Sequence, residues 1–351
     1  MASPREAGVD VALVAVTLTG SLMSLLGTAF ILICYMILPQ KRHIRHALII
    51  NLTIADFINA ANNSSSGLWV LIQNIPLRAG PGCTFNGFVG QLSVQAVDFS
   101  ILTITSVTLW IVTASRSRHD MRLSYILIFC CGSWAMPLMT SGIALIMNAY
   151  GPAATNWCWI DQNPTYLRFV LTHGWRFLII CAVVSMCIYI QIFLRRHTEL
   201  MDLAEGAQPS FKEDPYKQQH ISHESLDSFS PGKLRKPPPT PKATGFNRVR
   251  AVFVRPKVDP RNELGFRPPS KADQQKSIQK AMLLHAYPIF YIILWMPGIA
   301  MRISQATGHT SYVLQVMQAS TQFIGFANAV TFGWNEKIGE QLRRKIRGGP
   351  A

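Results

Sequence analysis

Asp98 and Arg176 each place an ionisable side chain inside a long apolar run. Surrounded by hydrocarbon such a group costs ~2.5–3.5 kcal/mol on the insertion scale, so it should face inward and have a partner. Gln91, Gln95 and Asp98 follow at spacings of four and three, which puts them on one helix face. His173 and Arg176 stand together in a later run. A guanidinium at that depth can grip a carboxylate or phosphate in bidentate fashion, pair with Asp98, or snorkel to the headgroups. Gln91, Gln95, Asp98, His173, Arg176 and Trp295 form the candidate ligand-contacting set.

A second carboxylic acid, Asp56, closes the stretch Asn51-Leu52-Thr53-Ile54-Ala55-Asp56. By the same argument it is either part of a functional polar network or a structural contact with Asn328 or another inward residue. Tyr287-Pro288 and Leu294-Trp295-Met296-Pro297-Gly298 put two prolines into one helical run. Each removes a backbone hydrogen bond and predicts a kink. Of the seven cysteines, Cys34, Cys130, Cys131, Cys181 and Cys187 fall within apolar runs and read as small buried residues. Cys83 and Cys158 fall outside them, on what the topology below makes the oxidising face, and a disulfide between them would tie a loop over the bundle as a lid or pocket rim.

What positions these residues is a set of membrane helices. The 351-residue chain is 49% hydrophobic and 15% charged, too apolar for an ordinary soluble protein of this size. Crossing ~30 Å of hydrocarbon takes about 20 helical residues. Seven runs qualify: Val11 to Leu38, Ala47 to Ile72, Phe85 to Thr113, Leu123 to Met147, Leu167 to Leu194, Ala281 to Ile303 and Ser311 to Trp334. The second and seventh are the most polar. The first is too long for a signal-peptide core, and its basic cluster lies after it, so it reads as a retained anchor.

The net charge of +15 sits in alternate loops. Segments 39–46, 114–122, 195–280 and 336–351 hold 28 of the 33 Lys and Arg residues. The short loops agree, so the N-terminus is expected outside and the C-terminus inside. Basic rims facing anionic lipid account for the charge better than a nucleic-acid polymer does. The expected organisation is therefore an outer N-terminus (1–10), five spans (11–194), a disordered basic inner loop (195–280), two spans (281–335) and an inner tail (336–351). The loop is rich in Lys, Arg, Pro and Ser, includes Pro237-Pro238-Pro239-Thr240-Pro241, and carries Ser222, Ser225, Ser228 and Ser230 as candidate phosphorylation sites. In the tail Ile338, Leu342 and Ile346 recur every four residues among charges, the pattern of a short interfacial helix.

Several motifs together carry a resemblance. Asn-Leu-x-x-Ala-Asp at 51–56 resembles the second helix of G-protein-coupled receptors, and Trp295-x-Pro297 resembles the switch of their sixth helix. Trp157-Cys158-Trp159-Ile160, Tyr287-Pro288, Leu294-Trp295-Met296-Pro297-Gly298 and Asn335-Glu336 look like the cyclic-AMP-receptor-like receptors of slime moulds and fungi, which include nutrient-sensing branches. Two departures separate the chain from the rhodopsin-like motifs: Val107-Thr108-Leu109-Trp110 replaces Asp-Arg-Tyr, and the seventh run lacks Asn-Pro-x-x-Tyr. The resemblance implies an all-α seven-helix bundle in the plasma membrane, a small-molecule or nutrient ligand outside, and a heterotrimeric G protein inside. Asn51, Asp56, Pro297 and Asn328 would form the switch, and Arg116, Arg118, Arg195 and Arg196 would meet the G protein.

Other classes fit less well. A retinal protein needs a Lys in the seventh run, and none occurs between Ser311 and Trp334. A transporter would show two similar halves with broken helices at matching positions; no such repeat is visible, and it stands as the alternative. His43, His46, His220 and His223 lack carboxylate or Cys partners, so no enzyme, metal or cofactor is expected.

Overall fold

The computed structural model describes residues 10–37, 44–113, 123–153, 156–161, 164–206, 284–307, 309 and 311–335. Helix α1 (Val11–Ile37) is capped by Asp10, whose carboxylate accepts the Leu13 amide at 3.1 Å. Helix α2 (Ile44–Gln73) ends at Asn74, with φ of 53°, and α4 (Leu123–Ile146) is followed by Asn148, with φ of 51°. Asparagine tolerates this left-handed conformation, which turns the chain out of a helix. Between them runs α3 (Pro81–Thr113).

The fifth span is one rod in three parts: α5 (Thr165–Arg168), a π turn at Phe169–His173, and α6 (Gly174–Gly206). Gly174 permits the wide turn, because a Cβ there would stand 2.6 Å from the Phe169 carbonyl oxygen. The sixth span is α7 (Ala286–Ala306). The seventh comprises α8 (Tyr312–Met317), a 3₁₀ segment (Gln318–Phe323) and α9 (Ile324–Asn335). Five of the spans are long and apolar enough to cross a membrane on composition alone; α2 and the broken seventh are not. Those two place Asn59, Asn62, Asn63, Gln318 and Gln322 along the polar centre of the bundle.

Neighbouring spans pack in sequence from α1 to α4, and the seventh returns against α1, α2 and α7. The α1 contact depends on small residues. A Cβ on Gly20 would lie 2.8 Å from the Phe323 ring, and one on Gly27 would lie 2.9 Å from Ala329 Cβ. Between these glycines Ser24 accepts the Phe326 amide at 3.1 Å and donates to the Gln322 carbonyl. It thus serves backbone groups that the 3₁₀ segment leaves without α-helical partners. The core beneath runs through Ile49, Leu52, Ile101, Ile104, Val183, Tyr287 and Phe332.

The outward faces are apolar as well: Met36, Ile72, Ile146 and Trp334 are 75–86% exposed. Such a belt is what lipid, not water, covers. Two of the five cysteines expected to be buried, Cys131 and Cys181, lie exposed on this belt. Hydropathy cannot separate the two settings, because the lipid side is as apolar as the interior.

Two further expectations change. The basic segment expected to be irregular from Arg195 is helical as far as Gly206. Pro288 falls in the first turn of α7, directly after a break at His285, so it starts this helix instead of kinking its middle; Pro297 is the proline inside it. The rest of the basic segment, with its serines and prolines, and the tail helix lie outside the described residues, as do Arg116 and Arg118.

Candidate functional site

Asp98 is the node at which three spans meet. Its Oδ2 accepts Arg176 Nε at 2.9 Å from the fifth span, and its Oδ1 accepts the Tyr291 hydroxyl at 2.6 Å from the sixth. Both charged side chains are nearly sealed, with 6% and 2% of their surface exposed. The guanidinium also lies over the Trp295 ring, 3.9 Å from its centre, which replaces part of the lost hydration by cation–π attraction. One face of Arg176 stays unused: its Nη2 has no hydrogen-bond partner among the described residues, and neither do His173 Nε2, Trp295 Nε1 and Trp159 Nε1. A buried polar atom left open in this way is costly, and a ligand is one thing that satisfies it.

The roof is a two-stranded antiparallel hairpin, β1 (Tyr150–Pro152) with β2 (Cys158–Ile160), registered by Tyr150 against Ile160 and Pro152 against Cys158. The Cys83–Cys158 disulfide anchors it to the start of α3. Asn86 accepts the Cys158 amide at 2.9 Å, and Asn156 donates to the Thr17 hydroxyl at 2.8 Å, so the roof reaches across to α1. Gly87 lets the hairpin settle: a Cβ there would stand 2.7 Å from the Tyr150 ring. Burial pushes the Tyr150 phenol up from its ordinary range, which keeps the hydroxyl protonated as it donates to Gln91 Oε1 at 2.9 Å.

Below the hairpin lies a cavity of ≈ 120 Å³. Trp157 and Trp159 come from the roof, Asn59, Asn62 and Asn63 from α2, His173 and Arg176 from the fifth span, and Trp295 and Arg302 from the sixth. Arg168 also lines it, held by the carbonyls of Ile160 at 2.6 Å and Asp161 at 3.2 Å. The amides are joined: Asn63 Nδ2 donates to Asn59 Oδ1 at 3.1 Å and to Gln322 Oε1 at 3.0 Å. Aromatic walls, amide groups and cations around a small roofed space are the composition of a site for a polar small molecule.

The sequence-predicted set divides. His173, Arg176 and Trp295 line the cavity, and Asp98 holds Arg176 from behind. Gln91 and Gln95 do not line it. Both donate to the Leu171 carbonyl, at 3.4 and 2.6 Å, and Gln95 Oε1 accepts from Thr140, so they steady the π turn. Their helix face was correct; the partner was backbone that only a π turn exposes. Arg168 and Arg302 are two of the five Lys and Arg residues outside the four basic segments. The signal that singles them out is their convergence with Arg176, which one-dimensional spacing does not carry.

Asp56, which also lines the cavity, accepts Asn328 Nδ2 on its Oδ2 at 2.6 Å, joining α2 to α9. Asn51 joins three spans: it donates to Ser100 at 2.9 Å and Ser133 at 2.8 Å, and accepts Trp134 Nε1 at 2.9 Å. Near Pro297, Ser320 of the seventh span donates to the Leu294 carbonyl at 2.8 Å, adding a bond across to the helix where the proline removes one within it. Arg195 and Arg196 are exposed near the far end of the fifth span.

The fold is a seven-helix bundle like that of squid rhodopsin, which superposes with a TM-score of 0.63, covering 99% of this chain and 90% of that one at 12% identity. Within that class the sequence is more specific. The chain belongs to the Git3 family, described as "G protein-coupled glucose receptor regulating Gpa2", whose sequence profile matches residues 10–201. Two ascaroside receptors of the fungus Arthrobotrys oligospora are similar over nearly all of the chain. GPR3 is 26% identical across 95% of this chain and 87% of its own length, and GPR2 is 27% identical across 99% and 93%. Human G-protein coupled receptor 157 is 27% identical over 54% of the chain. The protein is thus a multi-pass membrane receptor of a fungal G-protein-coupled family, for which the cyclic-AMP-receptor-like resemblance was a coarser match.

Proposed function

We propose that the protein senses a small molecule from outside the cell and activates a heterotrimeric G protein by moving the inner end of its sixth span. The observation that carries this reading is the Asp98 node. Through it the fifth and sixth spans share one buried ion pair at the wall of the roofed cavity, with Tyr291 six residues before Pro297 on the same helix. A ligand that alters the stack of Arg176 on Trp295 acts on α7 at its proline, where the helix lacks a backbone bond and bends most easily. Asp56 with Asn328, and Asn51 with its three partners, then link the moving helices to α2 and α3. On this reading the N-terminus is outside and the basic ends inside, and Arg195 and Arg196, with Arg116 and Arg118, meet the G protein and the anionic lipid.

The glucose of the family description and the ascarosides of the two fungal receptors both favour an extracellular nutrient or signal of small size. The test is nucleotide exchange on a purified G-protein α subunit, stimulated by wild-type receptor or Pro297→Ala. The variant is expected to stimulate less at equal receptor density. Equal rates, with and without candidate ligands, overturn the mechanism.

A further inference from the structure

Three arginines meet in this cavity, two from the fifth span (Arg168, Arg176) and one from the sixth (Arg302). All three line one small space together with His173. Their counter-charges are fewer. Asp98 binds Arg176 and is shared with Tyr291, and Asp161, exposed to solvent, lies beside Arg168. Arg302 makes its hydrogen bond to a neutral group, Gln305 Oε1, at 2.8 Å. Asp56 also lines the cavity, where its carboxylate accepts from Asn328 and pairs with none of the three arginines. Among the described residues only Arg176 has a carboxylate at ion-pair distance, so Arg168 and Arg302 stand in a partly desolvated space without one, where like charges repel far more than in water.

We propose that the ligand of this cavity is a small hydroxyl-bearing monoanion, clamped by Arg168, Arg176 and Arg302 between the fifth and sixth spans. Its carboxylate or phosphate supplies the anionic partner that Arg168 and Arg302 lack and gives the open Arg176 Nη2 and His173 Nε2 an acceptor. Its hydroxyls meet the amide side, where Asn63 joins Asn59 and Gln322 but leaves the remaining amide atoms of all three without partners among the described residues. The inference rests on the receptor reading above and adds a cause of motion to it. Arg302 lies five residues beyond Pro297, on the opposite side of the proline from Tyr291. Without an anion the guanidiniums hold the outer part of α7 away from the fifth span; with one they draw it in, and the inner part, hinged at Pro297, swings the other way.

The experiment uses full-length receptor in nanodiscs of zwitterionic lipid at fixed ionic strength, with glucuronate, glucose 6-phosphate, inorganic phosphate and neutral glucose as probes. Binding is read by calorimetry and by the shift in Tm. At least one charged sugar is expected to raise Tm where the same concentration of glucose does not, and Arg302→Gln and Arg168→Gln are each expected to weaken it roughly tenfold or more. Without any probe, Arg302→Gln is expected to raise Tm, because one of three repelling charges is gone. Comparison of the two sugars decides between carboxylate and phosphate. The proposal is overturned if no anion shifts the wild type, if glucose binds as well as its charged analogues, or if the arginine variants bind them undiminished. A shift produced by phosphatidylglycerol discs alone would also overturn it, assigning the cluster to a lipid headgroup. If anions fail while Pro297→Ala still lowers nucleotide exchange, the ligand class falls and the receptor reading stands.

Discussion

Replacing Asp98 by Asn removes the one carboxylate in contact with the Arg176 guanidinium and keeps the side-chain volume. The consequence follows from how thoroughly the pair is sealed, with 6% and 2% of the two side chains exposed. Arg176 then keeps its stack on Trp295 at 3.9 Å but lies buried without an anion, and the Tyr291 hydroxyl exchanges a charged acceptor for an amide. Breaking a buried pair from one side costs about 3–5 kcal/mol, because the remaining charge is desolvated and uncompensated. For a helical domain of this size that corresponds to a Tm lower by on the order of 10 °C. Arg176→Gln on top of Asp98→Asn removes the stranded charge, so the double variant is expected to regain at least half of the loss. The assay is thermal unfolding of purified receptor in one detergent, followed by tryptophan fluorescence. If Asp98→Asn melts within 2 °C of wild type, or the double variant melts no higher than the single, the ion pair does not hold the three spans together in the way argued.

Two other perturbations test the frame around the site. The disulfide closes a loop with a sequence separation of 75, so Cys83→Ser is expected to lower stability by about 2–4 kcal/mol, and Cys83→Ser/Cys158→Ser by no more than the single change; a double variant much worse than either single would mean that the cysteines act separately. Gly27→Val presses a side chain into Ala329 Cβ, which already stands 2.9 Å from the position of the added carbon, and is expected to cost about 1–3 kcal/mol in thermal unfolding; Gly27→Val/Ala329→Gly should recover part of it.

The sequence by itself settled the bundle and much of its wiring plan. Seven hydrocarbon-length runs, the acids that such runs cannot leave facing lipid, and two cysteines outside the runs are properties of residue type and length, and they led to the helices, to inward-facing Asp56 and Asp98, and to the Cys83–Cys158 bridge. The same logic explains why α2 and the seventh span were the faintest: a helix that turns its amides toward the polar centre lowers its own hydropathy. Only the tertiary structure decided which polar groups serve the protein and which remain open. Gln91 and Gln95 are absorbed by a carbonyl that a π turn exposes, and Arg168 and Arg302, separated by more than a hundred residues, converge on one cavity. Helical periodicity relates side chains a few residues apart on one rod. It says nothing about which faces of different rods meet, because that is set by close packing at Gly20 and Gly27 and by the rotation of each helix about its own axis.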